Sequence, residues 1–273
     1  YGASAIGGTI NIITKEPIRN TASFGHTLMG IGGGDAFDNI TSGNVSFVTG
    51  DNKAGIYAYG QSRYRQGYDH DGDGYTELPT LQSQTFGLSS YFRLSPYSKF
   101  GIQYHAIHDF RRGGNMLDLP PHQANIAEQA EHNIQGGSLN YDYYSPDEKN
   151  HLNAYLSFQA TKRKSYYGGI GEGTEEDIEI AGKAYGNTHD FTYVAGAQFV
   201  HSFDHLLFMP SDLTLGAEYN YDGLKDVIVD YDRNFKQDVR IGSFFFQNEW
   251  KNKQWSFLLG GRIDKHNLVD RII

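Results

Sequence analysis

The chain has 273 residues, 38% hydrophobic and 14% aromatic, with 33 glycines, 7 prolines, no cysteine and a formal net charge of −9. The lack of cysteine excludes disulfides, thiolate metal sites and a cysteine nucleophile, and an acidic balance without a basic stripe excludes nucleic acid as a partner. No run of about 18 apolar residues is present, which excludes a transmembrane helix but not transmembrane strands, whose hydropathy signal is far weaker.

In chain order, residues 7–15 read as a first short strand, rich in β-branched residues and stopped by Glu16-Pro17. Ile10, Ile12 and Thr14 lie on one face of it and Asn11, Ile13 and Lys15 on the other. From about Ala22 onward the chain is a series of alternating segments, and eleven further strands are expected near 22–32, 39–48, 54–66, 81–94, 99–110, 136–144, 152–166, 190–203, 213–231, 238–250 and 255–264. The alternation is plain in Leu152, Ala154, Leu156, Phe158 and Ala160 against His151, Asn153, Tyr155, Ser157 and Gln159. It recurs in Leu213, Leu215, Ala217, Tyr219 and Tyr221 against Thr214, Gly216, Glu218 and Asn220. A period of two puts each set on its own face of a sheet.

The connections alternate in length. Gly50-Asp51-Asn52, Ser95-Pro96-Tyr97 and Ser145-Pro146-Asp147 are short, whereas 67–80, 111–135 and 168–189 are long. Short turns at one rim and long loops at the other are the pattern of an outer-membrane barrel. Tyrosines gather near strand ends (Tyr64, Tyr97, Tyr143, Tyr144, Tyr166, Tyr167), as interfacial girdles require, although tyrosine is also simply a good strand residue. Every proline falls outside the expected strands, where a residue without an N–H belongs. One helix is expected at 122–132, after Pro120-Pro121 and rich in helix formers. The stretch 168–177, with its glycines and Glu175-Glu176-Asp177, reads as a flexible acidic loop.

Two constellations carry chemistry. Asp69, Asp71 and Asp73, then Gly74, repeat the opening of a calcium loop, in which alternate carboxylates chelate a hard cation and glycine permits the bend. Loop position twelve is Thr80, Glu77 stands at position nine, and no helices flank the loop, so it is no EF-hand. It is either a cation site completed by another loop or a solvated acidic turn, with Tyr68 and Tyr75 beside it as candidate ligand contacts. The second constellation is His105-x-x-His108-Asp109-Phe110-Arg111-Arg112, followed by His122 and His132. His105 and His108, three apart on a strand, face opposite sides and share no metal. His108, Arg111, Arg112 and His122 either meet an anionic or metal-chelate ligand or serve to hold the loops. The nucleophile-elbow pattern Gly-x-Ser-x-Gly is absent and no nucleophile–base pair is evident, so an outer-membrane hydrolase has no support and no enzyme is expected.

The opening residues, Tyr1-Gly2-Ala3-Ser4-Ala5-Ile6-Gly7-Gly8-Thr9-Ile10-Asn11-Ile12-Ile13-Thr14-Lys15, resemble the end of the plug domain of TonB-dependent outer-membrane receptors. The resemblance implies an all-β protein: residues 1–17 as the end of the plug, and residues 18–273 as the N-terminal half of a transmembrane antiparallel barrel that closes at about 22 strands around a plugged lumen. It implies active import of a scarce nutrient, a TonB-type periplasmic energy-coupling protein as partner, lipid around the barrel, and scope for a surface lipoprotein over the loops. Some receptors of this kind order their outer loops with Ca²⁺, which favours the cation reading of Asp69, Asp71, Asp73 and Glu77. The acidic and His/Arg loops point to a metal chelate, cobalamin first, then haem or a ferric siderophore. The competing reading is a passive porin or adhesin-type barrel, which needs no plug.

Overall fold

The computed structural model describes residues 16–171 and 173–268. The strand expected at 7–15, and with it the plug signature, lies outside the described residues. No described helix is long and apolar enough to cross a membrane.

Eleven strands form one antiparallel sheet in chain order: β1 (Thr21–Ile31), β2 (Ala36–Val48), β3 (Ala54–Arg65), β4 (Thr80–Ser95), β5 (Ser98–Gly114), β6 (Ala127–Tyr144), β7 (Asn150–Gly168), β8 (Gly186–Leu206), β9 (Met209–Ile228), β10 (Arg233–Lys251) and β11 (Ser256–His266). One rim carries only tight turns, at 49–53, 96–97, 145–149, 207–208 and 252–255. The other carries the long connections 66–79, 115–126 and 169–185, together with two short turns at 32–35 and 229–232.

The register fixes two faces. Ile56, Ser90, Ile102, Leu139, Leu156, Ala195 and Tyr219 are successive cross-strand partners on one face. The next row on that face runs Phe92, Phe100, Tyr141, Ala154, Ala197, Ala217 and Phe244. The large apolar residues of this face are turned outward: Phe47, Leu156, Phe158, Phe199 and Phe244 are all exposed. On β7 the apolar run Leu152–Ala160 covers about 26 Å of strand. At the usual tilt that is about 20 Å of height, close to the ~25 Å apolar band of a transmembrane barrel. Aromatic clusters bound the band: Phe208 stacks on Trp250 at 5.5 Å at the tight-turn rim, and Tyr193 stacks on Tyr221 at 5.3 Å towards the other.

The opposite face is polar. Its rows include Tyr57, Ser89, Gln103, Ser138 and Ser157, then Tyr91, Gly101, Asn140, Tyr155, Gly196 and Glu218. Large rings lie flat on this wall because glycines sit beside them; a Cβ at Gly87 would come within 2.1 Å of the Tyr59 ring. Residues 16–20 cross the same face. Glu16 pairs with Lys99 at 2.5 Å and with Arg93 at 3.1 Å, and the Tyr91 hydroxyl donates to the Pro17 carbonyl at 3.4 Å.

The strands at the long-loop rim are longer than the sequence suggests. β6 starts at Ala127, and β8 starts at Gly186. The helix expected at 122–132 is replaced by a short 3₁₀ turn, Pro121–Gln123, followed by β6. Pairing of Gly113 with Glu128 and of Arg111 with Ala130 satisfies backbone groups along β5, and this overrides helix propensity. The acidic loop instead holds a helix, α1 (Glu175–Ala181), opened by a capping box in which the Thr174 hydroxyl accepts from Asp177 N–H and the Asp177 carboxylate accepts from Thr174 N–H.

Candidate functional site

The loop between β3 and β4 is drawn into a narrow hairpin by the backbone bridge between Tyr68 and Leu78, with N···O distances of 2.9 and 3.1 Å. At its tip Asp69, Asp71, Asp73 and Glu77 each offer a carboxylate oxygen within 4.8 Å of the others. The turn is shaped by its own acids. Asp69 accepts from Gly72 N–H at 2.7 Å and from Gly74 N–H at 2.8 Å, Asp73 accepts from Tyr75 N–H at 2.8 Å, and Glu77 accepts from His70 N–H at 2.6 Å. Gly72 (φ 78°) and Gly74 (φ 91°) occupy left-handed conformations that let the backbone fold back onto Asp69. Each of these acids keeps an oxygen lone pair for a hard cation, so the cluster is fit to bind a metal ion. The Tyr68 hydroxyl is 3.1 Å from His70 Nδ1 in the same turn, and its ring packs against Gly32.

His108, Arg111, Arg112 and His122 do not converge. His108 lies on the apolar face of β5, 2.9 Å from Asn133 Oδ1 on β6. Arg111 is on the polar face, 2.9 Å from Asp109. Arg112 is 3% exposed and donates to the carbonyls of Gly113 and, at 3.2 Å, Asn115. His122 is 2.9 Å from the Tyr185 hydroxyl. The last two serve a cap over the rim. Ala124, Ala127, Tyr166 and Ala184 form a buried cluster with Tyr185 packed on it, tying the 115–126 loop to the 169–185 loop. Burial pushes the Tyr185 phenol up from its ordinary value.

The polar face below these loops carries a set that the sequence analysis singled out only in part, at Asp109, Arg111 and His132. Arg63, Ser83, Asp109, His132, Arg163, Thr188 and Asp226 are successive cross-strand partners, and Arg65, Leu81 and Arg111 form the adjacent row. Arg63 is held by Asp38 (Nε–Oδ1 2.9 Å), and Asp226 by Arg233 at 2.6 Å and the Thr188 hydroxyl at 2.7 Å. Arg65 stands directly opposite Asp38 and is attracted to it without an ion-pair contact, donating instead to the Pro79 carbonyl at 3.1 Å. Arg163 has no carboxylate contact among the described residues and donates to Ser165 Oγ at 3.4 Å. The recognisable signal was Arg63-x-Arg65 at strand spacing, which puts both guanidinia on one wall.

No protein-family profile and no curated protein matches the chain. Solved structures do. The siderophore receptor PirA from Pseudomonas aeruginosa aligns with a TM-score of 0.69 at 15% identity, over 98% of this chain and 41% of that one. The siderophore receptor PirA from Acinetobacter baumannii aligns with a TM-score of 0.68 at 14% identity, over 93% of this chain and 40% of that one. The copper transporter OprC aligns with a TM-score of 0.54 at 10% identity, over 91% of this chain and 37% of that one. All three are receptors or transporters, not enzymes. The likeness is one of fold, and the chain spans about two fifths of the length of each. The sheet thus has the fold of part of a TonB-dependent receptor barrel, the architecture that the resemblance at residues 1–15 implied.

Proposed function

We propose that the chain is the plug end (1–17) and the first half of the barrel (18–273) of a TonB-dependent receptor that imports a metal chelate across the bacterial outer membrane, energised through a TonB-type periplasmic protein. The observation that carries this reading is the two-faced sheet. Its apolar face is about 20 Å high, close to the apolar band of a transmembrane barrel, its polar wall is lined with charge, and its long loops all rise from one rim. A ferric siderophore ranks ahead of haem and cobalamin, because two of the similar structures are siderophore receptors and because Arg163, with Arg65 shared between Asp38 and the lumen, puts positive charge on the wall for an anionic chelate. Asp69, Asp71, Asp73 and Glu77 bind a divalent cation that orders the β3–β4 loop above this wall, and Tyr68 and Tyr75 frame the entrance.

The test is equilibrium binding by the full receptor of ferric catecholate and hydroxamate siderophores, haemin and cyanocobalamin. Binding of a ferric siderophore, weakened by Arg65→Gln and Arg163→Gln, supports the reading. Binding of none of these ligands refutes the metal-chelate proposal.

A further inference from the structure

On β7, β8 and β9 the apolar face ends at the same register row, while on β10 it gives way earlier, at Arg240 and Asp238. On β7 the run Leu152, Ala154, Leu156, Phe158, Ala160 gives way to Lys162; on β9 the run Leu213–Gly223 gives way to Lys225. Lys162, His189, Lys225 and Lys236 are successive cross-strand partners on β7, β8, β9 and β10, and the row continues through Asn133 to His108. Lys164 stands one row nearer the rim on the same face. All of these lysines are exposed, and among the described residues none has an ion pair or a hydrogen bond of its side chain. Lys225 and Lys236 lie directly opposite each other, about 5 Å apart at Cα. Like charges so placed destabilise a sheet unless an anion sits between them. Two carboxylates share the face: Asp238 is engaged by the Tyr221 hydroxyl at 2.8 Å, and Glu131 accepts from Asn133 at 3.2 Å. Beneath the lysines is a cleft of about 310 Å³ whose floor is Ala160, Phe191 and Gly223.

A cationic row capping an apolar groove, on the lipid-facing side and towards the long-loop rim, matches an amphiphile with phosphates on its head. We propose that Lys162, Lys225 and Lys236, with His189, bind the phosphorylated headgroup of an anionic lipid of the outer leaflet, while an acyl chain follows the groove at Ala160 and Phe191. Phosphate oxygens relieve the Lys225–Lys236 repulsion, and the long lysine stems reach up to the headgroup level. The inference rests on the barrel reading proposed above.

The full receptor is reconstituted in phosphatidylcholine vesicles, alone or doped with bisphosphorylated lipid A or phosphatidylglycerol. Lipid retained after detergent extraction is measured by native mass spectrometry. The parent retains bisphosphorylated lipid A, and the variant Lys162→Gln/Lys225→Gln/Lys236→Gln loses retention by about a hundredfold, roughly fivefold for each lysine near an anionic lipid. The corresponding triple arginine variant keeps it. Equal retention by parent and glutamine variant overturns the proposal, as does full displacement by inorganic phosphate, which would make the row a site for a free anion. Heat-modifiable gel migration in phosphatidylcholine alone reports insertion without reference to the lysines. Failure there overturns the barrel reading and this inference together; insertion without lysine dependence overturns the inference alone.

Discussion

Tyr166 gives the sharpest test of how the loop cap is built. Its side chain is 1% exposed, packed on Ala124, Ala127 and Ala184 with the Tyr185 ring 5.0 Å away, and its hydroxyl is buried without a hydrogen-bond partner among the described residues. Two substitutions separate ring from hydroxyl. Tyr166→Ala removes the ring and leaves a cavity, at a cost of about 3–5 kcal/mol for an aromatic truncation. Tyr166→Phe keeps the ring and deletes an oxygen whose desolvation costs about 1–3 kcal/mol when it is unpaired, so it is neutral or stabilises the cap by about 1 kcal/mol. The reporter is the Ile170 amide, which donates to the Ala124 carbonyl at 3.1 Å and so joins the two loops. With a tenfold change for every 1.36 kcal/mol, hydrogen-exchange protection at Ile170 falls by about two orders of magnitude or more in Tyr166→Ala, down to the limit set by local fraying. It is unchanged or rises several-fold in Tyr166→Phe. If Tyr166→Phe lost protection as Tyr166→Ala does, the hydroxyl would have a partner, and the account of the cap as an apolar cluster of rings and alanines would be wrong.

Gly87→Ala drives a methyl group into the Tyr59 ring and costs about 1–3 kcal/mol, seen as reduced refolded yield; Gly87→Ala/Tyr59→Leu recovers it. Tyr185 titrates above the ordinary phenol value because burial favours its neutral form, so its contribution to the cap is present below about pH 10 and is lost as pH rises through the elevated value. A difference titration at 295 nm between the parent and Tyr185→Phe shows a phenol titrating late; one titrating at the ordinary value refutes the packing of Tyr185. Terbium luminescence sensitised by Tyr68 and Tyr75 appears on titration with Tb³⁺, is competed by Ca²⁺ and is lost in Asp69→Asn/Asp73→Asn. A signal that survives this double substitution removes the cation site from the β3–β4 loop.

The eleven strands were legible because outward-facing apolar and wall-facing polar residues alternate strictly where a strand crosses the apolar band, as in Leu152–Ala160. Above that level the alternation stops carrying information. Residues 127–135 mix Glu128, Glu131 and His132 with alanines on both faces, so their pairing with β5 left no mark in hydropathy, and their alanines and glutamates looked helical. The helix α1 did leave a mark, the capping box Thr174-x-x-Asp177, hidden by the glycines before it. The acidic turn was legible because its ligands are local in sequence. The scatter of His108, Arg111 and Arg112 was half-legible: a period of two already puts Arg111 on the face opposite Arg112 and His108, but only the loop packing sends Arg112 into the cap.

The two faces also differ in how they handle charge, and this bears on what surrounds the sheet. Arg63–Asp38, Arg111–Asp109, Arg233–Asp226, Arg262–Glu218, Arg262–Asp264 and Lys251–Glu249 all lie on the polar wall, as do the contacts of Glu16 with Arg93 and Lys99. Among the described residues, every ion pair within the sheet is therefore internal to that wall, whereas the lysines of the apolar face are left without one. Chance placement in water would not sort them so, because an exposed pair is worth little on either side and is as easily made on one as on the other. In lipid the asymmetry has a cause. Under the barrel reading proposed above, lysines that reach the headgroup level take their counter-ions from the membrane, while Asp238 and Arg240, the charges of this face at the Ala160 and Phe158 rows, lie beside Tyr221. The wall neutralises most of its own charge, Arg65 by facing Asp38 across β2–β3, and among the described residues Arg163 is the guanidinium left there without a nearby carboxylate contact.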